Sequence, residues 1–434
     1  MKIPPSLLIL LFSYSSSAQL PSSLIQLKQH VAIKGDSLPA GQGIYDAKGL
    51  HYLIPVYRWV KNTGEQVQMM KPEQYSALCR DLAFAGDYTS APGIGRLRYD
   101  SMPKEGYDDA HHYVDTMKSV MFRPAANYIL NRAAGEQVIM FNESARQPMH
   151  RIFLMTLLRP LYEAGFRYLA MEMLQNRGVR SITEMDMRAG FLAAEPNAGE
   201  LIRNALALGF QVIPYEDTAA HKHTTLGRDI IRANQLATII KKDSGARIVV
   251  LAGGVQVSEN KLNEDFVPLA AAFRQQTGID PFTIDQTELS PGSTFEYGRV
   301  FYSELQSSRK FKEPVIAFRN NLPVSLLEND MYDIQVIHPA QELKYNRPTW
   351  LSANGKRLAT AVRPTEKMLY FVQAYYANEM ETRSLPLLVP ADQTYVTGSD
   401  GYYWLYLSPA KYKLVLRDIN YAILSVKDLD VTPL

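Results

Sequence analysis

The chain has 434 residues, 46% hydrophobic and 21% charged, with 25 Gly and 25 Pro. That balance excludes a disordered chain, a collagen-like repeat and a long coiled coil, and the length suits two or three domains with separate cores. The formal net charge is +2 and no long basic run occurs, which argues against a nucleic-acid binder, since such proteins concentrate positive charge on one face.

Lys2 precedes the apolar run Leu7-Leu8-Ile9-Leu10-Leu11-Phe12 and then Ser15-Ser16-Ser17-Ala18-Gln19. A basic start, a short apolar stretch and small residues at Ser16 and Ala18 predict a secretory signal peptide over 1–18, cleaved near Ala18, and hence a periplasmic or extracellular protein. The run is too short to span a bilayer and no later segment qualifies, so no membrane span is expected. The single cysteine, Cys79, excludes an intramolecular disulfide and a cysteine-based zinc site. It sits in a stretch of helical periodicity, which predicts a buried structural thiol.

Residues 19–135 read mainly as helix. One amphipathic stretch runs from Gln74 to Gly86, and another from Ala110 to Ala134 with Pro124 inside it or at a break. From Gln137 strands and helices alternate. Strands are expected at Val138–Phe141, Arg167–Met171, Gln211–Tyr215 and Arg247–Leu251, with helices over Met149–Ala164, Ala198–Leu208 and Gly227–Lys242. Short continuous apolar runs between amphipathic helices predict an α/β domain over 136–300, a parallel sheet with helices on both faces. Gln286 to Gly298 reads as a linker or long loop, and 301–330 as a connecting segment. Tyr-rich alternating runs at 333–337, 368–372, 402–407, 412–416 and 423–426, with an Asn354-Gly355 hairpin turn, predict a β-sandwich-like domain over 331–434.

In an open parallel sheet, ligands sit outside the carboxyl ends of the strands. The four expected strands end in Asn142-Glu143, Glu172, Tyr215-Glu216 and Gly253-Gly254. Three carboxylates meeting at one rim must be protonated, paired with arginine or bridged by a metal, so Glu143, Glu172 and Glu216 are candidate catalytic residues. His150 and Arg151 open the helix after the first strand. His150 is a general base or ligand, or else a satisfied histidine, and Arg151 beside a helix N-terminus could hold an oxyanion. Tyr215, Arg228, Gly253 and Gly254 complete the expected ligand-contacting set. His221-Lys222-His223 chelates a metal if the backbone is extended, together with Glu143, and is otherwise a polar loop. No GxGxxG, P-loop, GxSxG or HExxH pattern is present.

Taken in order, Val138 to Glu143, His150-Arg151, Gly165 to Glu172, Tyr215-Glu216, Arg228 to Leu236 and the Gly253-Gly254 turn resemble the erythromycin esterase, ChaN-like and Tiki superfamily over roughly residues 137 to 285. The resemblance implies a parallel α/β core with acids and histidines at the strand ends. Its members include macrolactone esterases, metal-dependent proteases and haem-binding lipoproteins. It carries Glu143, Glu172 and Glu216 over as the acids after the first three strands. Two histidine positions of the family differ here: Ser144-Ala145-Arg146 follows Glu143, and Gln256 follows the glycine turn.

Two functions are expected from these residues. One is an exported hydrolase-like protein, an esterase without a metal or a hydrolase assisted by a divalent metal. The alternative is a catalytically degenerate protein that binds haem, a small molecule or a peptide, with the C-terminal domain contacting a partner.

Overall fold

The computed structural model describes residues 45–46, 49–53, 56, 72–90, 104–175, 181–216, 225–260, 266–293, 296–327, 331–363, 365–395 and 401–433. The expected leader and the His221-Lys222-His223 pair lie outside the described residues.

Ahead of the central sheet stand α1 (Pro72–Phe84), α2 (Lys104–Thr116), the strand β1 (Met121–Pro124) and α3 (Ala125–Ala133). The helix expected over 110–134 is therefore two helices with a strand between them. Pro124 marks the break, because its fixed φ and missing N–H end one element and open the next. Cys79 is buried on α1, as its periodicity predicts.

The α/β region then runs β2 (Val138–Glu143), α4 (Met149–Glu163), β3 (Tyr168–Met171), α5 (Pro196–Leu208), β4 (Gln211–Pro214) and α6 (Thr225–Lys242). After these come β5 (Ile248–Gly253), α7 (Leu269–Thr277), β6 (Phe282–Asp285), α8 (Glu296–Arg309), β7 (Val315–Arg319) and β8 (Ile334–Gln335). Six strands form one parallel sheet in the order β8-β6-β2-β5-β3-β4. Alternation along the strands divides the core in two. Ile139, Phe141, Leu169, Met171, Val249 and Leu251 pack with α3, α4 and α5 on one face. Val138, Met140, Ala170, Ile248, Val250 and Ala252 pack with α6 and α7 on the other.

Three sequence expectations are corrected here. The run at 333–337 joins the parallel sheet, pairing Ile334 with Ile284, instead of the C-terminal module. The stretch expected as a linker at 286–298 is partly interior: Gln286, Leu289 and Ser290 are buried, and Ser290 Oγ donates to Gln147 Oε1 at 2.7 Å. Its polarity misleads because its polar atoms are satisfied inside the protein. Asn354-Gly355 forms a turn with φ of 56° and 84°, but not a local hairpin, because the strand after it pairs with 403–407.

Residues 301–327 pack with the N-terminal helices: α8 lies against α2, and β7 pairs antiparallel with β1. The C-terminal region is antiparallel. Strand β9 (Leu358–Val362) pairs with β12 (Tyr403–Leu407). A second sheet has the order β11 (Asp392–Thr394), β10 (Phe371–Tyr376), β13 (Ala410–Arg417) and β14 (Ile423–Val431). Leucines and tyrosines of both sheets share a core, so the C-terminal region is sheet-rich as expected. It is clamped to the turn after α1 by the buried Arg347, which holds Asp392 at 2.6 and 2.7 Å and donates to the carbonyl of Gly86 at 3.0 Å. No helix among the described residues is long and apolar enough to cross a membrane.

Candidate functional site

Glu143, Glu172 and Glu216 all stand at the carboxyl end of the sheet, but they do not form one cluster. Strand parity separates Glu143 from Glu172. Glu143 continues the face of Ile139 and Phe141 and meets α4, whereas Glu172 continues the face of Ala170 and meets α6. Each face supplies one buried arginine.

On the α4 face Arg151 is fully buried and grips Glu143 with two bonds, Nε to Oε2 at 2.7 Å and Nη2 to Oε1 at 3.1 Å. Its Nη1 donates to Glu195 Oε2 at 2.9 Å. Burial alone would lower the Arg151 pKa, but Glu143 and Glu195 outweigh it and hold it above its ordinary value. Glu195 is the N-cap of α5: its side chain accepts from Ala198 N, and Pro196 occupies the first turn. Its other oxygen accepts from Tyr88 Oη and Asn197 Nδ2, both at 2.9 Å, and Arg357 donates to Asn197 Oδ1 at 2.8 Å. The buried negative charge is thus spread over a hydrogen-bonded network that reaches a second buried arginine, Arg357.

On the α6 face Arg232 gathers three carboxylates. It pairs with Glu172 at 2.8 Å, forks onto both oxygens of Glu216, and donates to Asp229 at 2.8 Å. Burial pushes Asp229 up to about 6, against the pull of Arg232. Glu172 Oε2 accepts the Gly253 N–H at 2.7 Å and Oε1 accepts Gln256 Nε2 at 3.0 Å. A Cβ on Gly253 would stand 3.0 Å from Glu172 Oε2, and Gly254 holds φ at 46°, so both glycines serve this close turn. The Glu172 and Glu216 side chains keep 22% and 25% exposure. Gln256 Oε1 is buried and has no partner.

His150 is buried behind the rim. Its Nδ1 accepts the Ser144 N–H at 3.1 Å, so in the neutral ring Nε2 carries the proton and offers a donor, not a base. That Nε2 makes no hydrogen bond of good geometry, and the Gln286 backbone close to the ring favours its protonated form. Burial, reinforced by His338, Arg151 and Arg146, holds the His150 pKa well below its ordinary value. Beside it His338, ring centroids 5.3 Å apart, donates from Nε2 to Gln286 Oε1 at 3.2 Å, and burial lowers its pKa to about 3.

The remaining expected residues fall as follows. Tyr215 is a core residue whose hydroxyl donates to the Leu251 carbonyl at 3.1 Å, so it does not face a ligand. Arg228, expected to contact a ligand, lies in the first turn of α6, and the arginine that pairs with the carboxylates is Arg232 one turn further along. Glu143 has both oxygens on a guanidinium, an unfit position for a cation, and among the described residues no three His, Cys, Asp or Glu side chains converge as metal ligands. Sequence reasoning missed Glu195, Arg232 and Asp229. The Glu195-Pro196 pair, read as N-cap and first turn, would have flagged the first, and the Asp229/Arg232 spacing of three on one helix face the other two.

No family model matches the chain and no curated protein matches it. One solved structure, titled "Bacterial protein toxins", aligns at 12% identity with a TM-score of 0.28. The match covers 61% of this chain and 65% of the other, less than two thirds of that protein's length. A score this low carries no argument about fold or function.

Proposed function

We propose that this chain is a binding protein on a hydrolase-like α/β frame, taking a cationic group of a small molecule or peptide at the Glu172–Glu216 rim. The observation that carries this reading is the Arg232 cluster: three carboxylates share one guanidinium, and two of them reach solvent. The cluster keeps an excess of negative charge, which an ammonium or guanidinium at the exposed Glu172 and Glu216 carboxylates offsets. Gln256 cannot take a proton, and Nε2 of the buried His150 is a donor, which favours binding over hydrolysis. In this reading the chain is a divergent relative of the erythromycin esterase, ChaN-like and Tiki superfamily. Haem is disfavoured as the ligand, since neither ring nitrogen of His150 has a free lone pair. Spermidine and an Arg-Lys-Arg peptide, titrated calorimetrically at low salt, are the probes. Binding that weakens about tenfold in Glu216→Gln supports the proposal; no heat, or equal binding by wild type and Glu216→Gln, rejects it.

One observation favours the hydrolytic reading: Asp229, at about 6, has the pKa of a working general acid–base. Ester hydrolysis with an apparent pKa near 6 that disappears in Asp229→Asn would restore it. Export is proposed alongside either reading, and N-terminal sequencing of the secreted chain would then begin at Gln19.

A further inference from the structure

Asn354-Gly355 is the one Asn-Gly pair in the sequence, and it stands at an exposed tip between the helical turn Thr349–Ser352 and β9. Ala353, Asn354 and Gly355 hold φ at 47°, 56° and 84° in succession, a left-handed run that only glycine adopts without penalty. The tip is closed behind these residues: Arg357 N donates to the Ser352 carbonyl at 2.9 Å and Lys356 N to that of Ala353 at 3.3 Å. Nothing comparable holds the tip itself. Among the described residues neither the Asn354 carboxamide nor the Gly355 N–H makes a hydrogen bond. A Cβ on Gly355 would meet nothing within 4 Å. Asn346 is a built-in comparison, exposed and left-handed with φ of 58°. It precedes Arg347, which has a side chain, pairs with Lys344 across a hairpin and is anchored on Asp392.

We infer that Asn354 is a modification site, which the folded chain converts to aspartate and isoaspartate, without an enzyme, through a succinimide formed with Gly355. Hydroxide takes the Gly355 amide proton, and the nitrogen attacks Asn354 Cγ. The N–Cγ bond forms, the Cγ–Nδ2 bond breaks, and ammonia leaves with a proton from water. Water then opens the imide. Cleavage of the N–Cγ bond leaves aspartate, and cleavage of the bond from that nitrogen to the main-chain carbonyl carbon leaves isoaspartate. No atom is oxidised or reduced, and water is the only co-reactant. Glycine suits the step because no Cβ hinders its nitrogen, and rotation of the Asn354 side chain and ψ breaks no hydrogen bond. Either product removes one unit from the formal net charge of +2. Asn354 lines a recess of about 300 Å³ together with Lys312, Glu313 and Glu342, so the new carboxylate adds negative charge to that wall. The inference does not rest on the cation-binding reading of the rim.

The test incubates the whole folded chain at neutral and at mildly alkaline pH and follows it by tryptic mapping, with electron-driven fragmentation to separate aspartate from isoaspartate. Because Arg347 precedes Pro348, trypsin releases 345–356 as one peptide that contains both Asn346 and Asn354. Asn354 is expected to convert progressively, with isoaspartate among the products, at a rate that rises in proportion to hydroxide, while Asn346 stays intact. Gly355→Ala should slow the loss several-fold, and Asn354→Gln should stop it. A parallel incubation in urea isolates the contribution of the fold: conversion of Asn354 only in the unfolded chain would overturn the inference, because the tip would then be protected. Equal conversion at Asn346, or a rate unaffected by Gly355→Ala, would overturn it as well. The aged chain and Asn354→Asp should keep the wild-type urea midpoint, since the bonds of Lys356 and Arg357 lie behind the modified residue; loss of the fold on conversion would show that the tip is not the independent site described.

Discussion

Replacing Arg151 with Met separates a structural role from a catalytic one at the end of β2. Methionine keeps much of the apolar stem but removes the guanidinium, and with it the bonds of 2.7 and 3.1 Å to Glu143 and 2.9 Å to Glu195. Glu143 and Glu195 have side-chain exposures of 7% and 0%, so neither regains those partners from water. Glu195 still has Tyr88, Asn197 and the Ala198 N–H. Stranding one member of a buried ion pair costs about 3–5 kcal/mol, and here two carboxylates lose the same partner. The expected loss is therefore in that range, a large part of the roughly 5–15 kcal/mol that holds a domain folded. The sign of its pH dependence follows. Stranded carboxylates hold their protons to higher pH in the folded chain than in the unfolded one. The unfolded chain then releases protons first, and the stability of the variant falls as pH rises above about 4.3. Urea unfolding followed by circular dichroism at pH 5 and pH 8 should find the deficit against wild type smaller at pH 5 by more than about 1 kcal/mol. A loss below about 1 kcal/mol, or one equal at both pH values, would refute the ion-pair argument. Glu143→Gln turns one acceptor of the same fork into a donor facing a guanidinium, so it too should lower the melting temperature. Loss of activity in that variant would then not identify Glu143 as catalytic.

Two further perturbations follow from the packing. His150 and His338 are both neutral when folded, with pKa values lowered by burial, His338 to about 3. The unfolded chain binds protons at both below about pH 6.5, so stability should fall with acid at up to about 1.4 kcal/mol per pH unit for each histidine; a His338→Asn variant whose acid limb is as steep as wild type would contradict this. Gly86 holds φ at 81°, and a Cβ there would stand 2.0 Å from the Gln393 carbonyl oxygen. Gly86→Ala should cost more than about 2 kcal/mol and loosen the C-terminal module, read as faster proteolysis near 392–395; unchanged urea stability would show that the contact yields.

The fold was legible where the period was clean. Runs such as Val138–Phe141 and Arg247–Leu251 are apolar on both parities, which only a strand covered on two faces requires, and both fall at the centre of the sheet. Legibility ended where an element is short or its partners are remote. Ile334–Gln335 has two residues and acquires its identity from Ile284, fifty residues away. The apolar positions around Met121–Pro124 continue a helical pattern, and only pairing with Val315–Arg319 makes them a strand. Polar Gln286 and Ser290 read as solvent-facing because the sequence does not reveal that Asn142 and Gln147 await them inside.

The site was legible in kind but not in arrangement, and parity is the reason. Acids stand at three successive strand ends, but acids that follow one another in sequence meet only where strand order and the chain beyond the strand bring their side chains to one face, as Glu172 and Glu216 do and Glu143 does not. Here β2 and β3 are separated by β5, and Glu143 and Glu172 point to opposite faces. Arginine pairing was one of the three ways such acids can coexist, and it is the one realised, by Arg151 from one face and Arg232 from the other. The two pairings differ in consequence. The Arg151 network is closed, with every named partner buried, and its chemistry is cohesion between β2, α4 and α5. The Arg232 cluster is open on the side of Glu172 and Glu216, whose side chains keep 22% and 25% exposure, and that opening is why the proposed cation site is placed on the α6 face.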